Sequence, residues 1–141
     1  MTDRDLVEKK LAQIETYVSE LRRLAKPADL GRDLREERFV EHTLQLAIQA
    51  ALDVASHIVS DERLGEPATN RELFDRLARR GYLSASLAAT LGNMAGFRNL
   101  LVHGYDTVDL AIVRDVLEHR LDDLLAFVTA VRAILGPPAR R

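Results

Sequence analysis

Arg98, Asn99, His103 and Tyr105 stand close together in the stretch RNLLVHGYDTVD, residues 98–109. A guanidinium stabilises developing negative charge, and an imidazole can move a proton near neutral pH. Five residues along an α-helix turn by about 500°, so the side chains of Arg98 and His103 point about 140° apart. One straight helix therefore cannot aim both at one reacting atom. Either the chain turns near His103, or two copies of the motif meet, or the two residues act separately. In a purely structural role the arginine would sit in an ion pair, the histidine would cap carbonyls and the tyrosine would pack on the end of a bundle.

The helix expected to carry these residues starts at Ser84. Around a helical wheel centred on Leu87, the side chains of Leu91, Met94, Leu101 and Val102 fall within about 60° of it, and so does Arg98. The arginine thus occupies the middle of an apolar stripe, where an unpartnered charge costs several kcal/mol. It needs a carboxylate, a phosphate or a wet cleft, and Asp53, Glu41 and Asp109 are candidate partners. The opposite side carries Ala85, Ala88, Ala89, Gly92, Gly96, Asn99 and His103. Each glycine there costs about 1 kcal/mol of helix propensity, which close packing or access would offset. Gly104 ends the helix just after His103, where the macrodipole favours an imidazolium.

The rest of the chain reads as helices. Val7, Leu11, Ile14, Val18 and Leu21 form one stripe, and Pro27 stops that helix. Asp33 with Glu36 opens a second helix expected to run to about Ser60, apolar on two sides and hence central or at an interface. Thr69 and Glu72 have capping-box spacing, with Leu73, Phe74 and Leu77 inside and Gly81 as the stop. Asp106 or Thr107 is expected to cap a last helix carrying Leu110, Val113, Leu117, Leu121, Leu124, Val128, Val131 and Leu135 without interruption. The expected fold is all-α, an up-and-down antiparallel bundle of about five helices over residues 1–136, followed by a short tail at 137–141.

Composition narrows the function. The 141 residues include 20 basic and 22 acidic side chains, for a net charge of −2, and residues 98–141 hold six of each sign. The chain lacks the broad basic surface of a protein that clings to nucleic acid, so any such role needs a local site or an assembled surface. It has no cysteine, which excludes disulfides and thiolate chemistry. Asp53 and His57, one turn apart, could give two metal ligands, but no second pair accompanies them, and no metal or cofactor is expected. With no apolar run long enough for a membrane and a charged start, MTDRDLVEKK, the expected location is the cytoplasm.

FRNLLVHGY resembles the Arg-x4-His-x-Tyr motif of the HEPN-domain ribonucleases, specifically the HepT-like toxins of bacterial toxin–antitoxin pairs. The similarity extends through LQLAIQAALDVASHIV, ELFDRLARRGYL and LAATLGNMAGFRNLLVHGYDTVD, about residues 35–130. The resemblance implies a HEPN-like homodimer, or a higher oligomer, whose two motifs line one cleft and cut RNA without a metal. It assigns Arg98 and His103 as catalytic, Asn99 as substrate-orienting, and Tyr105 as the site at which a cognate minimal nucleotidyltransferase antitoxin attaches AMP. Independently of the resemblance, Asp53 is expected to pair with Arg98 or His57, so that Asp53 and His57 would support the cleft. The competing reading is a non-catalytic dimeric module that binds a nucleotide or a protein partner.

Overall fold

The structure is a computed structural model that describes residues 2–103 and 108–137. Among them are six α-helices and no strand: α1 (Arg4–Leu24), α2 (Leu34–Asp61), α3 (Asn70–Arg79), α4 (Ala85–His103), α5 (Leu110–His119) and α6 (Leu121–Leu135), with a 3-10 turn at Pro27–Asp29. The all-α expectation is met.

Five of the six starts are set by a short polar side chain, and α6, which follows Arg120 directly, has no side-chain cap. Asp3 Oδ1 accepts from the Leu6 amide at 3.1 Å and Asp33 Oδ1 from Arg35 at 2.9 Å. Thr69 and Glu72 form the full capping box. Ser84 Oγ accepts from Leu87 at 3.1 Å, opening α4 where the sequence indicates. At the end of α3, Gly81 has φ +87° and donates to Ala78, while Tyr82 donates to Leu77, which is a Schellman stop. Glu36 is buried, and its Oε2 accepts from the Lys26 amide at 2.7 Å instead of closing a box with Asp33. That bond ties the α1–α2 connection down.

Helix α2 is the axis of the bundle and touches all five other helices. This explains its two apolar sides. Helix α1 runs antiparallel to it: Lys10 pairs with Asp53, and the Asp3 amide donates to His57 Nε2. Tyr82 Oη donates to Glu62 at 2.5 Å, so α4 begins beside the C-terminal end of α2 and runs back toward its start. Arg114 of α5 donates to the carbonyls of Pro27 and Leu30, placing the motif end of α4 near the α1–α2 connection. Helix α6 closes the bundle on α1, where Arg132 holds Glu15 through two bonds of 3.0 and 2.7 Å and Arg4 Nη2 donates to the carbonyls of Leu135, Gly136 and Pro137. The buried faces of all six helices meet in one apolar cluster.

The last helix departs from expectation. Its stripe is buried at Val113, Leu117, Leu121, Leu124, Val128 and Val131, yet the helix breaks at Arg120, with φ −117° and ψ −3°. An apolar stripe reports which face is buried and is silent on whether the axis stays straight. The break is marked by charge: His119 lies in the last turn of α5, and Asp122 and Asp123 in the first turn of α6, each at the favourable pole of its helix. The cap of α5 is Asp109, whose Oδ1 accepts from Ala111 at 2.9 Å; Asp106 and Thr107, the expected caps, lie outside the described residues.

Candidate functional site

Arg98 occupies the core-facing side of α4 and is half-buried, as the wheel requires. Its Nε is fully buried and has no hydrogen-bond partner among the described residues; Nη1 donates to Asn99 Oδ1 at 3.3 Å. Asn99 is exposed beside it, and α4 ends at His103. The guanidinium is therefore partly desolvated with a buried donor still free among the described residues, a placement that favours an arriving anion. Gly104 and Tyr105 lie outside the described residues.

None of the three candidate carboxylates pairs with Arg98 in the single chain. The expected pairing of Asp53 with Arg98 or His57 is corrected: Asp53 accepts from Lys10 Nζ at 3.2 Å and from Gln49 Nε2 at 2.8 Å, on the side of α2 that meets α1. His57 Nε2 is taken by the Asp3 amide at 3.0 Å, so this pair is committed to fastening the N-terminal helix. Asp109 is spent as the α5 cap. Glu41 is half-buried, and burial pushes its carboxyl above the usual range, with Arg38 opposing and Glu37 adding to the rise.

That shift has a sign. A carboxyl raised in the folded state favours folding when protonated, and the contribution is lost as pH rises through its folded pKa. Ionised Glu41 thus costs stability at neutral pH. Glu41→Gln is expected to raise Tm at pH 7, and the gain should vanish as the buffer is taken below the range where carboxylates titrate. Thermal melts at several pH values check this, and a loss of Tm at pH 7 would show that Glu41 has an ionic partner.

Apolar and small residues surround α4 instead of keeping to one side. Gly92 packs tightly, since a Cβ there would lie 2.9 Å from Cγ of Arg71 on α3, whereas a Cβ at Gly96 would meet open space. Ala85, Ala89, Gly96 and Leu100 face outward, and Leu100 is 53% exposed. Next to this face, a groove of about 210 Å³ between α4 and α5 has Met94, Phe97 and Val116 in its lining and Ile112 at its edge. No helix among the described residues is long and apolar enough to cross a membrane.

Residues 9–131 match the family described as "Ribonuclease HepT-like". The chain belongs to that family. Among HepT-like relatives, it is 29% identical over 130 residues to an mRNA nuclease HepT of Shewanella oneidensis, covering 92% of this chain and 98% of the relative. It is 30% identical over 132 residues to a tRNA nuclease HepT of Aphanizomenon flos-aquae, covering 92% and 90%. A solved tri-AMPylated HEPN toxin of Shewanella oneidensis, in complex with its MNT antitoxin, superposes with a TM-score of 0.85 at 29% identity, over 94% of this chain and 99% of that one. The HepT-like bundle is thus present nearly end to end.

Proposed function

We propose that this chain is the ribonuclease toxin of a toxin–antitoxin pair, with Arg98 and His103 as its catalytic residues. The observation that carries the reading is Arg98, held half-buried on α4 with a buried Nε that nothing among the described residues satisfies, five residues before a histidine at the helix end. The nuclease names of its relatives and the AMP-bearing, antitoxin-bound state of the solved toxin point the same way.

The divergence of about 140° between the two side chains is met by a homodimer, in which two copies of α4 bring both motifs to one cleft. The outward face of Ala85, Ala89, Gly96 and Leu100 suits that contact. There one His103 takes the proton from a ribose 2′-OH, and the oxygen attacks the adjacent phosphorus. The P–O5′ bond breaks as O5′ receives a proton from the second His103. The products are a 2′,3′-cyclic phosphate and a 5′-hydroxyl, and no metal is needed. Arg98 stabilises the extra charge on the phosphorane oxygens, and Asn99 orients the phosphate. DNA lacks the nucleophile.

Tyr105, two residues past His103, is the site for AMP. A nucleotide there would fill the cleft and add negative charge where RNA must bind. Expression of the chain should arrest bacterial growth. Co-expression of a minimal nucleotidyltransferase should relieve the arrest, and mass spectrometry should then find AMP on Tyr105. Tyr105→Phe should still arrest growth and should no longer be relieved. Relief that is undiminished in Tyr105→Phe would place the modification elsewhere.

A further inference from the structure

Away from the motif, arginines gather where α2, α3 and the connection between them meet. Arg76, Arg79 and Arg80 line an open hollow of about 450 Å³ with Leu64 and Gly65. A second hollow, of about 510 Å³, adjoins it at Gly65 and is lined by Arg63, Ser56, Ser60 and Glu66 among others. Arg76 donates from Nη2 to the Glu66 carbonyl at 3.4 Å, while its buried Nε, like the exposed Arg79, has no hydrogen-bond partner among the described residues.

The nearby carboxylates are largely occupied. Glu72 accepts from the Ala68 and Thr69 amides, and these bonds, with the nearby charges of Arg76 and Arg79, hold its carboxyl below the usual range. Glu62 accepts from Tyr82 Oη and lies 4.0 Å from Arg80 Nε. Glu66 stands on the rim of the second hollow.

Arg63 adds an independent observation. Helix α2 ends in a Schellman stop: Leu64 donates to Val59 and Arg63 donates to Ser60. The residue at the turn has φ +55°, a conformation that favours glycine, and α3 does use glycine at the equivalent place. Here an arginine occupies it. The sequence accepts backbone strain at the one turn that sets a cation beside this hollow.

We propose that Arg63, Arg76, Arg79 and Arg80 form a second contact for the phosphate backbone of the RNA substrate, apart from the motif. The proposal rests on the ribonuclease reading. Arg98 lies 14 residues beyond Ser84, about 21 Å along α4, so an RNA strand crossing both places spans several nucleotides. It also gives a near-neutral chain the local basic site that its composition requires.

The test is RNA binding without turnover. In a His103→Ala background, affinity for a single-stranded RNA of about 20 nucleotides is measured against salt, with Arg63→Gly, Arg79→Ala and Arg79→Ala/Arg80→Ala compared with the parent. Arg63→Gly should raise Tm while weakening RNA binding about three- to tenfold at 0.1 M salt, and each arginine lost should reduce the salt slope by about 1. Higher stability with weaker binding is an outcome that unfolding cannot mimic. If all three variants bind RNA like the parent while wild-type protein cuts it, this site is refuted and the nuclease reading stands. If the parent binds no RNA and the wild type cuts none, the nuclease reading falls and this site with it.

Discussion

Replacing His103 by alanine is expected to lower single-turnover RNA cleavage by about 10²- to 10⁴-fold, and Arg98→Ala by about 10²- to 10³-fold. Loss of the imidazole removes the group that takes the 2′-OH proton. Loss of the guanidinium removes donors aimed at the charge that develops on phosphate. Arg98→Lys should recover little, because an ammonium lacks the planar fork that grips two phosphate oxygens. Stability separates catalysis from folding. The Nε of Arg98 is buried and unsatisfied among the described residues, so Arg98→Ala removes a desolvated group with no described bond to lose at that atom, and Tm should hold or rise. An Arg98→Ala protein that cuts at the wild-type rate would remove the arginine from the mechanism.

Phe127→Ala is expected to cost about 3–5 kcal/mol of folding stability. Phe127 on α6 is fully buried and meets Phe74 of α3 edge to face, with ring centroids 5.8 Å apart and planes at 89°. The deletion opens a cavity in the shared core and forfeits the aromatic pair. Phe127→Leu keeps much of the volume and should cost far less. Urea denaturation gives both values, and a loss below about 1 kcal/mol for Phe127→Ala would contradict the packing described.

Much of this fold was legible because amphipathic spacing and caps are local signals. The α1 stripe from Val7 to Leu21, the capping box of Thr69 and Glu72, the Ser84 cap and the Gly81 stop all stand where the sequence indicates. The break at Arg120 was not legible from periodicity, because the stripe continues through it; the reversal of charge from His119 to Asp122 and Asp123 was the available sign. In the candidate site, the wheel placed Arg98 on the buried face of α4. It could not choose a partner for it, since that depends on which side of α2 meets α1. Asp53 and His57 fell on that side and were taken by Lys10, Gln49 and the Asp3 amide. The arginines beside Gly65 come from α3, its C-cap and the α2–α3 connection, so no spacing in the sequence joins Arg63 to Arg76, Arg79 and Arg80; the run Arg79-Arg80 was the visible part.

Whether Arg98 and His103 cut RNA with no metal is decided by incubating purified, unmodified protein with total cellular RNA in excess EDTA, beside Arg98→Ala and His103→Ala. The wild type should degrade RNA in the chelator to fragments ending in 2′,3′-cyclic phosphate, and neither variant should do so. Cleavage abolished by EDTA, or equal in all three proteins, would contradict that mechanism.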